Sequence, residues 1–277
     1  LKEKEENGRF PLHRRKSTLS LTSVPDPELD AKTHPQGQSI FFAKLPIEIR
    51  KMIYELVMGE EETVHLTLAV KKKFGHFLCD ENQAADEECG CRVLVGGREG
   101  RRLDRSMLAM LKSCRRLYSE AIVDLYRPHT FSLLHITHLL YLPSRLPGPR
   151  LDQIRTIRLR WAIRALPFLK RPVSPKRYAY PEDTANWIQG WKTLANMKGL
   201  RELYVLLTDP SPQHLWERQW ADLEERLLED VQNVRQTRWF TLMLPYPGCR
   251  TDWDMGGCNV ILRKPEDDDE DEDDEST

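Results

Sequence analysis

Two short stretches carry residue types that bind metal ions: His76-x-x-Cys79 and Cys89-Gly90-Cys91. Together they place one imidazole and three thiols within 16 positions. Zinc takes about four nitrogen and sulfur ligands in a tetrahedron, and a polar loop with few core residues gains most from such a clip. Two features oppose a zinc reading. The Cys-x-Cys spacing is not that of a zinc knuckle, whose cysteines are separated by two to four residues. Asp80, Glu81, Asp86, Glu87 and Glu88 also crowd the same loop. The reading favoured by the residues is therefore free thiols, with no metal and no other cofactor. Six cysteines at irregular spacings, in a chain showing no secretory signal, read as reduced thiols of an intracellular protein, cytoplasmic or nuclear.

Other chemistry finds less support. Gly96-Gly97-Arg98-Glu99-Gly100 is glycine-rich, but it lacks the Lys-Ser/Thr of a phosphate-binding loop and does not fit a dinucleotide fingerprint. No nucleophile elbow joins a serine to a histidine and an aspartate, so an enzyme is not expected. Basic groups at Lys71-Lys72-Lys73, Arg98, Arg101-Arg102 and Arg155, Arg158 and Arg160 could meet phosphates. No reader motif accompanies them, so nucleic acid stands only as a minor alternative partner. The formal net charge of −1 hides an asymmetry. Glu266 to Glu275 is an unbroken acidic run of ten, and without it 42 basic residues face 33 acidic ones, about +9. That run opposes strong nucleic-acid binding. Arg14-Arg15-Lys16-Ser17 has the form of a kinase or import motif, but it is too short to outweigh a solvated tail.

The elements that must position these residues follow from periodicity. Residues 1–39 lack apolar periodicity and are rich in Pro, Ser, Thr and charge, so a disordered segment is expected. A single domain follows over 40–263 with a flexible insertion at 71–104, and 264–277 is expected to be a disordered acidic tail. Thr63–Val70 alternates with period two and reads as a half-buried strand, with His65 on its polar face as an ordinary surface histidine. Arg105–Tyr126 repeats at three and four and reads as one long helix ended by Pro128, with Cys114 as a small core residue. Strands at 154–161, 200–207, 239–244 and 258–263 alternate with helices at about 183–198 and 215–234. No run is long and apolar enough for a membrane span. The fold class is thus α+β or α/β, a mixed sheet with packed helices. The segments Ile154–Leu159 and Leu200–Val205 resemble each other about 46 residues apart, which gives part of the sheet a leucine-rich-repeat-like character.

The stretch from Phe42 to Gly59 is the strongest local signal. Pro46 suits a helix start and Gly59 its left-handed end. Ile49, Met52, Ile53, Leu56 and Val57 form one apolar stripe, with Glu48, Arg50, Lys51 and Glu55 on the other face. Leu45-Pro46-x-Glu48-Ile49-Arg50-x-x-Ile53-Tyr54 resembles the opening of an F-box, and more closely that of a fungal family of uncharacterised F-box-like proteins. Cys114-Arg115-x-x-Tyr118-x-Glu120-Ala121 resembles a second motif of the same family, and Thr130–Leu133 and Leu139–Leu142 continue it. The resemblance implies a non-enzymatic protein-interaction module, an adaptor linking a Skp1-type protein to a substrate for ubiquitination. Leu45, Pro46, Ile49, Ile53 and Tyr54 would then be its docking residues, and the later strands and helices would hold the substrate. The alternative is an α/β domain of unknown function in which the same helix is purely structural. Burial of that helix discriminates between the two.

Overall fold

The computed structural model describes residues 36–69, 73–79, 89–91 and 101–266. The expectations for residues 1–35, for Lys71-Lys72, for the glycine-rich 96–100 and for the acidic run beyond Glu266 lie outside the described residues. The chain opens with α1 (Ile40–Lys44) and α2 (Ile47–Met58), then β1 (Thr63–Ala69) and β2 (Lys73–Leu78). Next come α3 (Arg105–Ser113), α4 (Arg115–Ala121), β3 (Thr130–Leu133), α5 (Ile136–Arg145) and α6 (Gly148–Leu151). The remainder is β4 (Thr156–Ala162), β5 (Lys170–Arg171), β6 (Ser174–Tyr178), α7 (Pro181–Asn196), β7 (Glu202–Thr208), α8 (Glu217–Val231), β8 (Trp239–Met243) and β9 (Val260–Arg263).

Seven strands make one mixed sheet in the order β2-β1-β3-β4-β7-β8-β9. Only the edge hairpin β1–β2 is antiparallel; each following pair is parallel. From β1 onward the strands are laid down in chain order without reversal. Right-handed crossovers in a sheet wound one way put every connecting helix on one face. Accordingly α5, α7 and α8 pack side by side. This one-sided winding is what a leucine-rich-repeat-like layer requires. The two similar segments are neighbours in it, paired from Thr156–Glu202 through Ala162–Thr208.

Alternation decides which side chains enter the helical side. Ile157, Leu159 and Trp161 of β4, Leu203, Val205 and Leu207 of β7 and Phe240 and Leu242 of β8 are buried there. Against them α7 and α8 set Trp187, Trp191 and Trp220, each at most 1 % exposed. Trp161 lies 4.8 Å from Trp187 and 5.6 Å from Trp191, ring centre to ring centre. Gly190, inside α7, permits this approach: a β-carbon there would meet the Trp161 ring at 2.7 Å.

The structure departs from the sequence reading at two places and adds two elements to it. The stretch 105–126 is two helices, broken where Cys114 is extended (φ −155°, ψ 161°). Cys114 is half-buried, and its sulfur accepts from the Leu117 N–H at 3.4 Å, capping α4. Lys73–Leu78, expected within a flexible insertion, is β2, held on β1 by six residue pairs. Lys170–Arg171 and Ser174–Tyr178, outside the main sheet, pair as a small hairpin, β5–β6. Thr130–Leu133 is the buried third strand. Among the described residues no helix is long and apolar enough to cross a membrane.

Candidate functional site

Helix α2 starts where the sequence indicates. Pro46 is its N-cap residue, and Gly59 ends it with φ +80°, a conformation that a side chain would strain. Its orientation is the unexpected part. The buried residues are Arg50, Tyr54 and Met58, spaced by four on one face. The apolar stripe looks outward: Ile49 is 43 %, Met52 63 % and Leu56 82 % exposed. Leu45, Ile53 and Val57 are half-buried and Pro46 is exposed.

Glu120 of α4 accounts for this inversion. Its carboxylate accepts from Arg50 Nε at 2.8 Å and Arg50 Nη2 at 2.9 Å, a bidentate pair, and from the Tyr54 hydroxyl at 2.7 Å. Arg116 Nε adds a bond at 3.0 Å from one turn away. Arg50 Nη1 also donates to the carbonyl of Leu45. The Phe42 ring lies under both guanidiniums, 4.7 Å from Arg116 and 5.5 Å from Arg50. Around this joint Tyr54, Met58, Met107, Leu111, Leu117, Ala121 and Ile122 form a small apolar cluster. The two motif stretches that lie far apart in the sequence are thus one contact.

The charges are set by that contact. Burial pushes the Glu120 carboxyl up, but the bonds from Arg50, Tyr54 and Arg116 outweigh it and leave it below the ordinary carboxylate value. Burial and Glu120 push the Tyr54 hydroxyl well up, so it remains a donor. Tyr54, expected on the docking face, is 0 % exposed and belongs to the joint instead. Of the residues implied for docking, Ile49 and Pro46 are exposed, and Leu45 and Ile53 lie at the edge of the outward face.

A second cluster lies at the other end of α2's strand connection. His65 of β1, Cys79 just after β2, and Cys89 and Cys91 bring one ligand atom each to within 4.8 Å of one another. His65 Nε2 is 3.6 Å from Cys89 Sγ, and Cys79 Sγ is 3.8 Å from Cys91 Sγ. Burial, with Cys89 and Cys79 beside it, pushes the Cys91 thiol up to about 12. His65 is 0 % exposed, so the surface histidine expected there is corrected. It does face away from Val64 and Leu66, but the 89–91 segment covers that face.

His76, the histidine first grouped with the cysteines, takes no part. It pairs with Leu66 in the hairpin and so points to the opposite side from Phe77 and Cys79. Burial lowers its pKa, and Arg102 adds to this. The signal that finds the right histidine is parity: His65 is opposite Phe77, and Cys79 follows two residues later on the same face.

Comparison with protein families gives one result. A model of a domain of unknown function, DUF7730, matches residues 34–265. The chain belongs to this family. No F-box family matches beside it. Neither a curated protein nor a solved structure gives a significant match. The DUF7730 match begins just before α1 and ends after β9, so the joint, the sheet and the His/Cys cluster all belong to the family domain.

Proposed function

We propose that the protein is a non-enzymatic interaction module that docks on a partner through the outward face of α2. The partner class suggested by the F-box-like resemblance is a Skp1-type adaptor. The observation that carries the reading is the inverted helix, with Ile49, Met52 and Leu56 exposed while Arg50 and Tyr54 are buried. Clustered exposed apolar side chains on one helix mark a contact site, and a helix laid in a groove is the natural mode. Further support comes from the packing of α2 with α3 and α4. An F-box carries a second and third helix soon after the first; here the β1–β2 hairpin and residues 79–104 intervene in the sequence, yet the three helices still close on one another. On this reading the sheet face opposite the helices, with Arg158, Tyr204 and Thr241 in one row, would hold the substrate.

The second reading, a purely structural α2, is favoured by the Glu120 joint, which fastens the helix whether or not a partner exists.

A pull-down with a purified Skp1-type adaptor separates the two. Met52→Asp/Leu56→Asp changes only exposed positions, so circular dichroism should stay that of the wild type. The docking reading expects affinity to fall at least about tenfold in this variant, as when charge enters a helix-in-groove contact. A wild-type chain that shows no adaptor binding would remove the adaptor from the proposal.

A further inference from the structure

We propose that His65, Cys79, Cys89 and Cys91 form a structural zinc site that clamps the 89–91 segment across the sheet face opposite the helices. Zn–S bonds of about 2.3 Å and Zn–N bonds of about 2.1 Å give tetrahedron edges of about 3.8 Å between sulfurs and about 3.6 Å between sulfur and nitrogen. The observed Cys79–Cys91 and Cys89–His65 separations are 3.8 Å and 3.6 Å. A disulfide needs its sulfurs at about 2.05 Å and would not gather a third thiol and an imidazole.

Residues 89–91 lie in neither helix nor strand, yet Cys89 is 8 % exposed and packs with Cys79 and Leu134. Cys89 and Cys91, two apart, both direct their sulfurs toward the hairpin. Arg160 of β4 donates from Nη2 to the Cys89 carbonyl at 2.9 Å and from Nη1 to the Cys91 carbonyl at 3.2 Å. Three thiolates, a neutral imidazole and one divalent zinc sum to a single negative charge, and this guanidinium lies against it. Support of ligand backbones by such outer groups is typical of metal centres.

Four protein donors close the tetrahedron, which is the structural rather than the catalytic pattern of zinc. The four come from β1, from the residue that follows β2 and from the 89–91 segment beside them. Metal binding therefore holds residues 89–91 on the sheet, with the thiol protons released to solvent.

The test uses the full chain, purified under reducing conditions without chelator. Inductively coupled plasma and native mass spectrometry should find one zinc per chain. Exchange for cobalt should give the absorption of a tetrahedral thiolate-ligated ion. Cys91→Ser and His65→Ala should lose the metal, and His76→Asn should keep it. Should either ligand variant misfold, the wild-type zinc content and cobalt spectrum decide alone. Wild-type chain that carries no zinc and takes up no cobalt overturns the site. A native mass two hydrogens low, with Cys79 and Cys91 joined, overturns it in favour of a disulfide. Loss of metal in His76→Asn with retention in His65→Ala overturns the ligand set.

Discussion

The two cores of this molecule are held by different forces. Under β4, β7 and β8 the contacts are apolar: Trp161, Trp187, Trp191, Trp220 and Phe240 interlock with almost nothing charged between them. Between α2 and α4 the contact is centred on one carboxylate that takes two arginines and a tyrosine. Apolar burial is non-directional, and shape alone selects among orientations. A bidentate ion pair fixes one face of a helix and no other. That is why α2 can leave its apolar stripe outside: its anchoring is polar and directional. The same difference ties the small joint to the ionisation of Glu120, whereas in the large core charge enters only at the margin, where Tyr246 donates to Asp209 and Trp220 to Glu224.

The largest effect is expected in the apolar core. Trp191→Ala removes a side chain that is 0 % exposed. It should cost about 4 kcal/mol of stability, the usual scale for a buried tryptophan truncated to alanine. Urea unfolding should show this as an early collapse of the whole sheet. A loss under about 1 kcal/mol would mean that the indole is not packed as described.

Glu120→Ala should cost somewhat less, about 3 kcal/mol, because it leaves Arg50 buried without its partner. The loss should concentrate in α2 and α4. Hydrogen exchange would then speed up over residues 47–58 and 115–121 while β4 and β7 stay protected; uniform loss of protection would erase the distinction between the two cores.

Acid should reproduce a weaker form of that variant. The folded Glu120 value lies below its ordinary 4.5. A depressed carboxylate contributes stability that is complete above the unfolded pKa and fades as pH falls through the folded one. Loosening of α2 should therefore begin below about pH 4.5 and deepen with further acid, and Glu120→Gln should remove that step. Acid reaches the large core through a different carboxylate, Asp209 with its bond from Tyr246, so Glu120→Gln should leave the tryptophan fluorescence response of that core unchanged.

Tyr54→Phe should be the mildest change. It deletes one hydrogen bond to Glu120 while both arginines stay, so about 1 kcal/mol is expected from thermal unfolding.

Much of the fold was legible because most elements obey one simple period. β1, β4, β7, β8 and β9 alternate, and α7 and α8 repeat at three and four, so each was readable to within three residues at its ends. β2 was hidden because Lys73-Phe74-Gly75-His76 lies in a charged, glycine-containing stretch that resembles a loop. Pairing with β1 makes it a strand. The break at Cys114 was hidden for the opposite reason: the apolar repeat continues through it, and no proline or glycine announces it. Only the packing of α4 on α2, which brings Glu120 to Arg50, calls for two helices there. In the candidate metal site three of the four ligand atoms were visible as cysteines. The fourth was misassigned to His76 by nearness in sequence, where strand parity favours His65.

The sequence by itself determined that α2 is an amphipathic helix capped by Pro46 and Gly59, because caps and periodicity are local properties. It also determined the alternation of strands and helices from residue 154 onward, while the order of the strands in the sheet came from the tertiary structure. Only the tertiary structure decided which face of α2 turns inward and which histidine meets the three cysteines. Both choices rest on contacts between residues far apart in the chain, where one carboxylate or one strand register outweighs the local pattern.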